Sequence, residues 1–496
     1  MSNIQSLSAF LPELWLGLAC MIVLMFPIVP KLAKASLATN FTLIALVLAG
    51  LPLLAQAFGS DGVSTESLFF GMVAQDGLAV FFKLLFLLTT IAAVLMTASG
   101  QEVGDDKKPE FYCILIGILL GMFVTASATD LVMMYLAFEL LSLGSYVLAG
   151  FGRNEPRSDE AAIKYIIFGG LSTGAMLYGM SYLYGLTGTT SLIGIREALA
   201  VSEGSPLAFF VAFLLVMVGM GYKIASVPFH FWAPDVYQGA PSAVTAFLSV
   251  ASKGAGFAAF IRIFFTAFLA KENGTWSPVV DLDWRVLLSL LAMVTMTFGN
   301  LGAFRQNNIK RLFAYSSIAH AGYVLVGALA LSTAGVQSIM FYMLTYLFTN
   351  LAAFTVIVIM ADKNGMEEID DYNDLCRRAP WLALCMGVSL FSLIGVPPMA
   401  GFLGKWFLFA AAMESKNFWC TAAVVVGLLN SVLSVYYYFR ILRAMYIVKT
   451  DSPQPVLTTP ALVGLASVAA VPVLLVFLFG APIYRWTGSL TSLFLS

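Results

Sequence analysis

The sequence predicts an all-α polytopic membrane protein of about fourteen transmembrane helices, with two inverted five-helix repeats and discontinuous helices 7 and 12. Three observations carry this. Of the 496 residues, 60% are hydrophobic and only 11% charged, against about 25% charged in ordinary soluble proteins. The mean hydropathy of +0.90 exceeds what any soluble core requires. Apolar stretches of about 20 residues, the length that spans a bilayer, recur along the whole chain. Two of them are interrupted by proline with a lysine nearby: Lys223-Ile-Ala-Ser-Val-Pro228, and Ile394-Gly-Val-Pro397-Pro398 followed by Lys405.

The expected spans, in order, are 9–28, 37–57, 75–98, 110–127, 129–151, 161–186, 206–226, 241–269, 286–304, 309–330, 334–361, 380–412, 417–440 and 457–481. The first lacks the basic leader and small-residue cleavage site of a signal peptide, so it is expected to persist as a helix. The longest tract without Asp, Glu, Lys or Arg runs from 312 to 361, with Ser332, Thr333 and Gly335 in its middle. Those residues mark a hairpin between spans 10 and 11. Basic residues set the orientation. Loops after spans 1, 3 and 5 hold Lys31, Lys34, Lys107, Lys108, Arg153 and Arg157. Those after spans 9, 11 and 13 hold Arg305, Lys363, Arg377, Arg378, Arg443 and Lys449. The opposite set carries few, which places both termini outside the cytoplasm or matrix.

The two interrupted spans are five apart, an odd number, so a second copy of the first would cross the membrane in the reverse direction. Paired breaks of this kind point to a transport path at the interface of an inverted repeat. The expected domains are 1–105 (helices 1–3), 106–270 (first repeat, helices 4–8), 271–450 (second repeat, helices 9–13) and 451–496 (helix 14).

Charges inside spans carry the functional signal, because a charged side chain at the bilayer centre costs roughly 2.5–3.5 kcal/mol on insertion scales. Glu139 is the only charge between Leu131 and Gly152, with Ser142 and Tyr146 on roughly its own helix face. A carboxylate there must take up a proton or find a cation. Lys223, Lys253 and Lys405 each lie deep in a span. An approaching or withdrawing carboxylate would load or discharge such a lysine, which is the chemistry of a proton carrier. Lys223 is also expected at the C-terminal end of its half-helix, where exposed carbonyls favour a cation. Each of these residues has a structural reading too, as a fixed ion pair or a cap on broken backbone. His230 and His320 are the only histidines, and a side chain that titrates near neutral pH suits a relay. Lys164 near the start of span 6 is a further relay candidate, while Lys83 and Arg262 are left without a role.

Other chemistry finds little footing. There is no phosphate-binding loop, no GxGxxG after a strand and no haem or flavin signature. Five cysteines, Cys20, Cys113, Cys376, Cys385 and Cys420, show no CxxC or Cys/His spacing, so no metal or iron–sulfur site is expected. Each is expected to serve as a small hydrophobe. Asp235 and Asp281 are expected at solvated interfaces, and the mixed-sign loop 363–380 along the cytoplasmic surface. Net charge of −1 argues against nucleic acid as a partner.

Over about residues 110–445 the chain resembles the antiporter-like membrane subunits of respiratory complex I, the proton-pumping NADH:quinone oxidoreductase. The motifs stand in order: Glu139-Leu-Leu-Ser-Leu-Gly-Ser-Tyr146; Lys164-Tyr165 with Gly169; Lys223 through Pro228-Phe-His230-Phe-Trp232-Ala-Pro234-Asp235; Phe-Leu-Ser-Val-Ala-Ser-Lys253; Gln306 through Lys310-Arg311 to His320; and Gly395-Val-Pro-Pro-Met-Ala-Gly401-Phe-Leu-Gly-Lys405. Within that family the continuation Asp235-Val-Tyr-Gln-Gly-Ala-Pro241 is most similar to subunit N, the relative of mitochondrial subunit 2.

The resemblance implies a switch pair Glu139–Lys223, a central relay at Lys253 and a terminal proton carrier at Lys405. It implies no NADH, flavin, iron–sulfur cluster or quinone bound by this subunit, since those belong to the rest of the complex. It also implies neighbouring antiporter-like subunits and lipids as partners, in a bacterial plasma membrane or a mitochondrial inner membrane. Two other readings stay open at this point: a subunit of a multi-subunit sodium/proton antiporter, and a purely structural membrane subunit.

Overall fold

The computed structural model describes residues 3–28, 34–58, 66–152, 155–201, 206–272, 275–279, 284–450 and 455–494. Lys31, Arg153 and Asp281 lie outside the described residues, as does the side chain of Lys363. Each expected apolar stretch forms helix. The first half contains α1 (Leu11–Met25), α2 (Ala35–Phe58), α3 (Gly77–Ser99), α4 (Lys108–Ser127), α5 (Leu131–Ala149), α6 (Pro156–Thr187), α7 (Pro206–Ile224) and α8 (Trp232–Gly239). A continuous helical stretch, α9 (Ser242–Phe268), follows. The second half contains α10 (Trp284–Ala303), α11 (Ile309–Ala328), α12 (Thr333–Asn364), α13 (Pro380–Ile394), α14 (Ala400–Glu414), α15 (Phe418–Tyr446), α16 (Pro460–Leu478) and α17 (Gly480–Phe494). Among the described residues, eleven helices are long and apolar enough to cross a membrane.

Helix ends follow local chemistry. Asp76, Asp130, Asn308, Ser332 and Asn417 cap α3, α5, α11, α12 and α15, each accepting a backbone N–H of the first turn, which satisfies donors a helix start leaves free. The expected hairpin between spans 10 and 11 is present, with Ser332 as the cap.

Both predicted interruptions are real breaks. α7 stops at Ile224, and Ala225 takes a left-handed conformation, φ 58°. The chain resumes as α8 at Trp232, whose indole N–H donates to the Tyr222 carbonyl at 2.9 Å. Val227 N–H is taken up by Thr295 Oγ1 at 3.1 Å. The second break places Gly395, φ 89°, directly after α13, so the expected stretch 380–412 is two helices of 15 residues each. Proline supplies no N–H and clashes with the preceding turn, so neither helix runs on.

The structure adds three features that the pattern of apolar residues did not predict. Two short antiparallel hairpins, Glu66–Leu68 with Val73–Gln75 and Leu269–Glu272 with Thr275–Pro278, qualify the all-α expectation. α9 contains π-helical turns at Leu248–Ser252 and Phe264–Phe268. Beyond α16, α17 folds back against α3 and α12, where Gln337 donates to the Tyr484 carbonyl at 2.6 Å. α9 is buried along its length except at Thr266 and packs against α3, α4, α7 and α12. Its other polar groups therefore have only protein for neighbours.

Candidate functional site

Among the described residues, seven lysines and arginines are buried; Lys108 and Lys310, at helix starts, pair with Asp105 and Glu367, and the five inside the spans divide by their partners into two groups. Lys83 pairs with Glu13 at 2.6 Å. Arg262 forms a two-pronged pair with Asp76, one prong at 2.9 Å, and donates to the Ala126 carbonyl at 2.6 Å. Its charge thus meets the cap of α3 and the last turn of α4, where helix dipoles favour a carboxylate and a cation respectively. Of these two residues, unassigned from sequence, Lys83 ties α3 to α1 and Arg262 fastens α9 to α3 and α4.

Lys223, Lys253 and Lys405 bond neutral oxygens instead. Lys223 Nζ donates to Ser142 Oγ of α5 at 3.1 Å and faces the rings of Phe138 and Tyr165, both 5.9 Å away. Lys253 Nζ donates to Ser317 Oγ of α11 at 2.6 Å, directly after a π-helical turn, a distortion frequent at functional sites. Lys405 Nζ donates to the carbonyls of Leu393 and Ile394 at 3.0 and 2.9 Å and to Ser431 Oγ at 3.3 Å. It also lies 4.5 Å from the centre of the Tyr323 ring. The cation that caps a broken half-helix is therefore Lys405, reaching back across its break. Lys223 lies in the last turn of its half-helix, as expected, but its amine turns to Ser142 of α5.

Glu139 stands one turn from Ser142 on α5. Its Oε1 is buried without a hydrogen-bond partner, and it makes no ion pair within 4 Å among the described residues. Lys223 is still close enough to feel its charge. Glu139 and Lys223 are thus brought together but not joined, with Ser142 holding the amine. Behind them Tyr146, Tyr165 and Trp232 form an aromatic wall, ring centres 4.8 and 4.5 Å apart in succession. A side chain at Gly169 would place its Cβ 1.9 Å from the Tyr146 hydroxyl, so this wall requires glycine there.

His320 is buried on α11 between the second and third lysines and feels the charge of both. Its Nδ1 bonds the Tyr342 hydroxyl, and its Nε2 is 3.3 Å from that of Tyr438. Tyr438 reaches Ser316, the neighbour of the serine that holds Lys253. Asn300 bonds the hydroxyls of Tyr323 and Tyr437 and the side chain of Asn430. A line of polar groups therefore runs from Lys253 toward Lys405. Its members Ser317, Tyr342, Tyr438, Asn300, Asn430 and Ser431 went unmarked in the sequence, although asparagine inside the apolar helices α10 and α15 is a signal in itself.

The remaining candidates lie apart. His230 is buried in the first break against Phe231, and its Nδ1 has no hydrogen-bond partner. Lys164 is partly exposed and pairs with Glu160 and Asp235, each at 2.6 Å. Asp235 also pairs with Arg311, so it is ion-paired rather than simply solvated. Partial burial would raise its carboxyl, but Lys164 and Arg311 win and hold it below the usual carboxylate range. The loop after α12 packs on the start of α11, with Glu367 2.8 Å from Lys310. Nearby a polar cleft of about 600 Å³, lined by Glu102, Ser158, Gln238, Lys310 and Glu367 among others, opens at the N-terminal end of α9. Glu102 bonds the Ser242 hydroxyl there at 2.7 Å. Burial raises its carboxyl, against the pull of Lys310 and Ser242.

Known proteins resemble the chain as a whole. Residues 128–434 match the family described as NADH:quinone oxidoreductase/Mrp antiporter, transmembrane. The NADH-quinone oxidoreductase subunit N of Anaeromyxobacter sp. (strain Fw109-5) is 42% identical, over 99% of this chain and 98% of that protein. A chain of respiratory complex I from Thermus thermophilus superposes with a TM-score of 0.79 at 32% identity, covering 96% of this chain and 98% of that one. A chain of the Mrp complex from Dietzia sp. DQ12-45-1b superposes with a TM-score of 0.84 at 20% identity, covering 100% and 98%, a likeness of fold.

Proposed function

Given that the chain belongs to the NADH:quinone oxidoreductase/Mrp antiporter transmembrane family, we propose that it is the subunit N-type proton-translocating membrane subunit of NADH:quinone oxidoreductase. It works in a bacterial plasma membrane beside other antiporter-like subunits and lipids. Redox chemistry elsewhere in the complex drives it; NADH, flavin, iron–sulfur clusters and quinone are held by other subunits. Of the expected spans, the three outside the group of eleven, namely α1, α11 and the α13–α14 pair, also cross the membrane, which gives fourteen; α8 and α17 do not cross it. Residues 106–270 and 271–450 are inverted repeats, a reading supported by a left-handed residue one position after each broken half-helix.

The observation that carries the proposal is the division of the buried cations. Lys83 and Arg262 meet carboxylates, whereas the bonds of Lys223, Lys253 and Lys405 go to hydroxyls and carbonyls. Holding a buried charge without a counter-ion costs several kcal/mol. Such an amine exchanges its proton at little cost to the fold, while a paired one cannot. Protons enter from the polar cleft above α9; from Ser242 to Lys253 is eleven residues, about 16 Å at 1.5 Å each. Glu139 and Lys223 form the switch, closing to hold a proton on the amine and parting to release it. Lys253 passes protons by way of Tyr438 and His320 to Lys405, which delivers them to the far side. His230 and Lys164 serve at the margins of this path.

The test replaces Glu139 or Lys223 with alanine in the assembled complex, measured in sealed vesicles. Proton pumping should fall while the complex assembles normally. Unchanged pumping at normal assembly would leave these residues with a structural role only.

A further inference from the structure

Cys20 of α1 and Cys113 of α4 were expected to be separate small hydrophobes, yet their sulfurs touch at 3.2 Å. The contact is mutual. Cys20 Sγ is 3.4 Å from the Cys113 carbonyl oxygen, and Cys113 Sγ is 3.6 Å from that of Cys20. The residues are 93 positions apart in sequence and meet only because α1 packs on α4. Both are half-buried, and α1 turns Leu18, Met21 and Leu24 outward on either side of Cys20. The sulfurs therefore lie at the rim of the bundle, within reach of small apolar molecules dissolved in the bilayer. Beside them the Tyr112 hydroxyl is 3.0 Å from Thr39 Oγ1 of α2, which fixes the register of α4 against the N-terminal helices. A disulfide measures about 2.05 Å between sulfurs, so closure needs an approach of about 1 Å.

We propose that Cys20 and Cys113 form an oxidisable dithiol, a modification site at which a lipid-soluble quinone closes a disulfide between α1 and α4. Two S–H bonds break and one S–S bond forms. The two electrons and two protons pass to the quinone, which leaves as quinol. The bond would tie the N-terminal helices to α4, the helix packed behind the one that bears Glu139.

The test uses the assembled complex in native membrane vesicles without NADH, incubated with a short-chain quinone. The denatured chain is then counted for maleimide-reactive thiols. The count should fall from the five cysteines of the sequence to three, return to five with dithiothreitol, and stay at four in Cys20→Ser and Cys113→Ser alike. A peptide pair linked through Cys20 and Cys113 should appear by mass spectrometry. That wild-type measurement decides the matter if either variant fails to assemble. Five reactive thiols after oxidation, thiol loss that persists in Cys113→Ser, or links only between different chains would each overturn the proposal. So would closure by diamide but not by the quinone, since the oxidant assigned would then be wrong.

Discussion

Replacing Lys253 with methionine should leave the fold intact, whereas replacing Arg262 with methionine should break it. Both cations lie on α9 and both are buried, with 2% exposure each, so burial alone makes no distinction. Their partners do. Without Arg262, the Asp76 carboxylate loses its one ion-pair partner among the described residues and keeps a backbone bond to Ala79 N–H at 2.9 Å. Stranding one member of a buried ion pair costs about 3–5 kcal/mol. Without Lys253, no carboxylate is stranded. Ser317 Oγ keeps its bond to the Ala314 carbonyl at 2.7 Å, and methionine fills a similar volume, so the change should lie within about 1.5 kcal/mol of neutral. The assay is thermal unfolding of the purified complex in mild detergent, together with its assembly yield in membranes. Arg262→Met should lower both sharply, and Lys253→Met should match the parent. Equal losses in the two variants would refute the division of buried cations into paired structural groups and unpaired working ones.

Three further outcomes follow from the geometry. Gly169→Ala pushes the Tyr146 ring away from the aromatic wall; overpacking of this kind costs about 1–3 kcal/mol, and pumping should fall with assembly retained, measured by proton uptake in vesicles. Gly395→Ala places a side chain at φ 89° and its Cβ 3.1 Å from Lys405 Cδ. Left-handed backbone costs a non-glycine residue about 1–2 kcal/mol, so unfolding should come earlier and pumping should drop, whereas Gly401 offers no comparable effect on Lys405 through φ. Asp235, with its carboxyl held low, adds stability that is present above the ordinary aspartate value of about 3.9 and lost as pH falls through its lower folded value. Acid unfolding of the parent should therefore steepen below about pH 4, and Asp235→Asn should flatten that part of the curve.

What the sequence conveyed best was whatever depends on neighbours in the chain. Runs of apolar residues located the helices, and Pro228 and Pro397-Pro398 located the breaks, because a missing N–H acts where it stands. The candidate residues were legible for the same reason, each being a charge in a stretch that carries almost no others. Their partners were not. Ser142 lies on the Glu139 face, and spacing alone gave no means of telling which of the two Lys223 would bond. Lys405 caps the carbonyls of its half-helix because it follows the break and reaches back, while Lys223, at the end of its own, turns to α5, a matter of side-chain direction that sequence spacing does not encode. Ser317, 64 residues from Lys253, and Asp76, 186 from Arg262, were invisible because only packing unites them. The π-helical turn before Lys253 has no proline or glycine pair to announce it; Leu248-Ser-Val-Ala-Ser252 reads as ordinary helix.

On the proposed function, protons move through lysines that have no fixed counter-ion. This is tested most directly by the proton-to-electron ratio of the Lys253→Met complex in proteoliposomes, with NADH oxidation and proton uptake recorded together. The expected result is a complete, stable complex whose ratio falls below that of the parent. A ratio equal to the parent's, in a fully assembled complex, would contradict it.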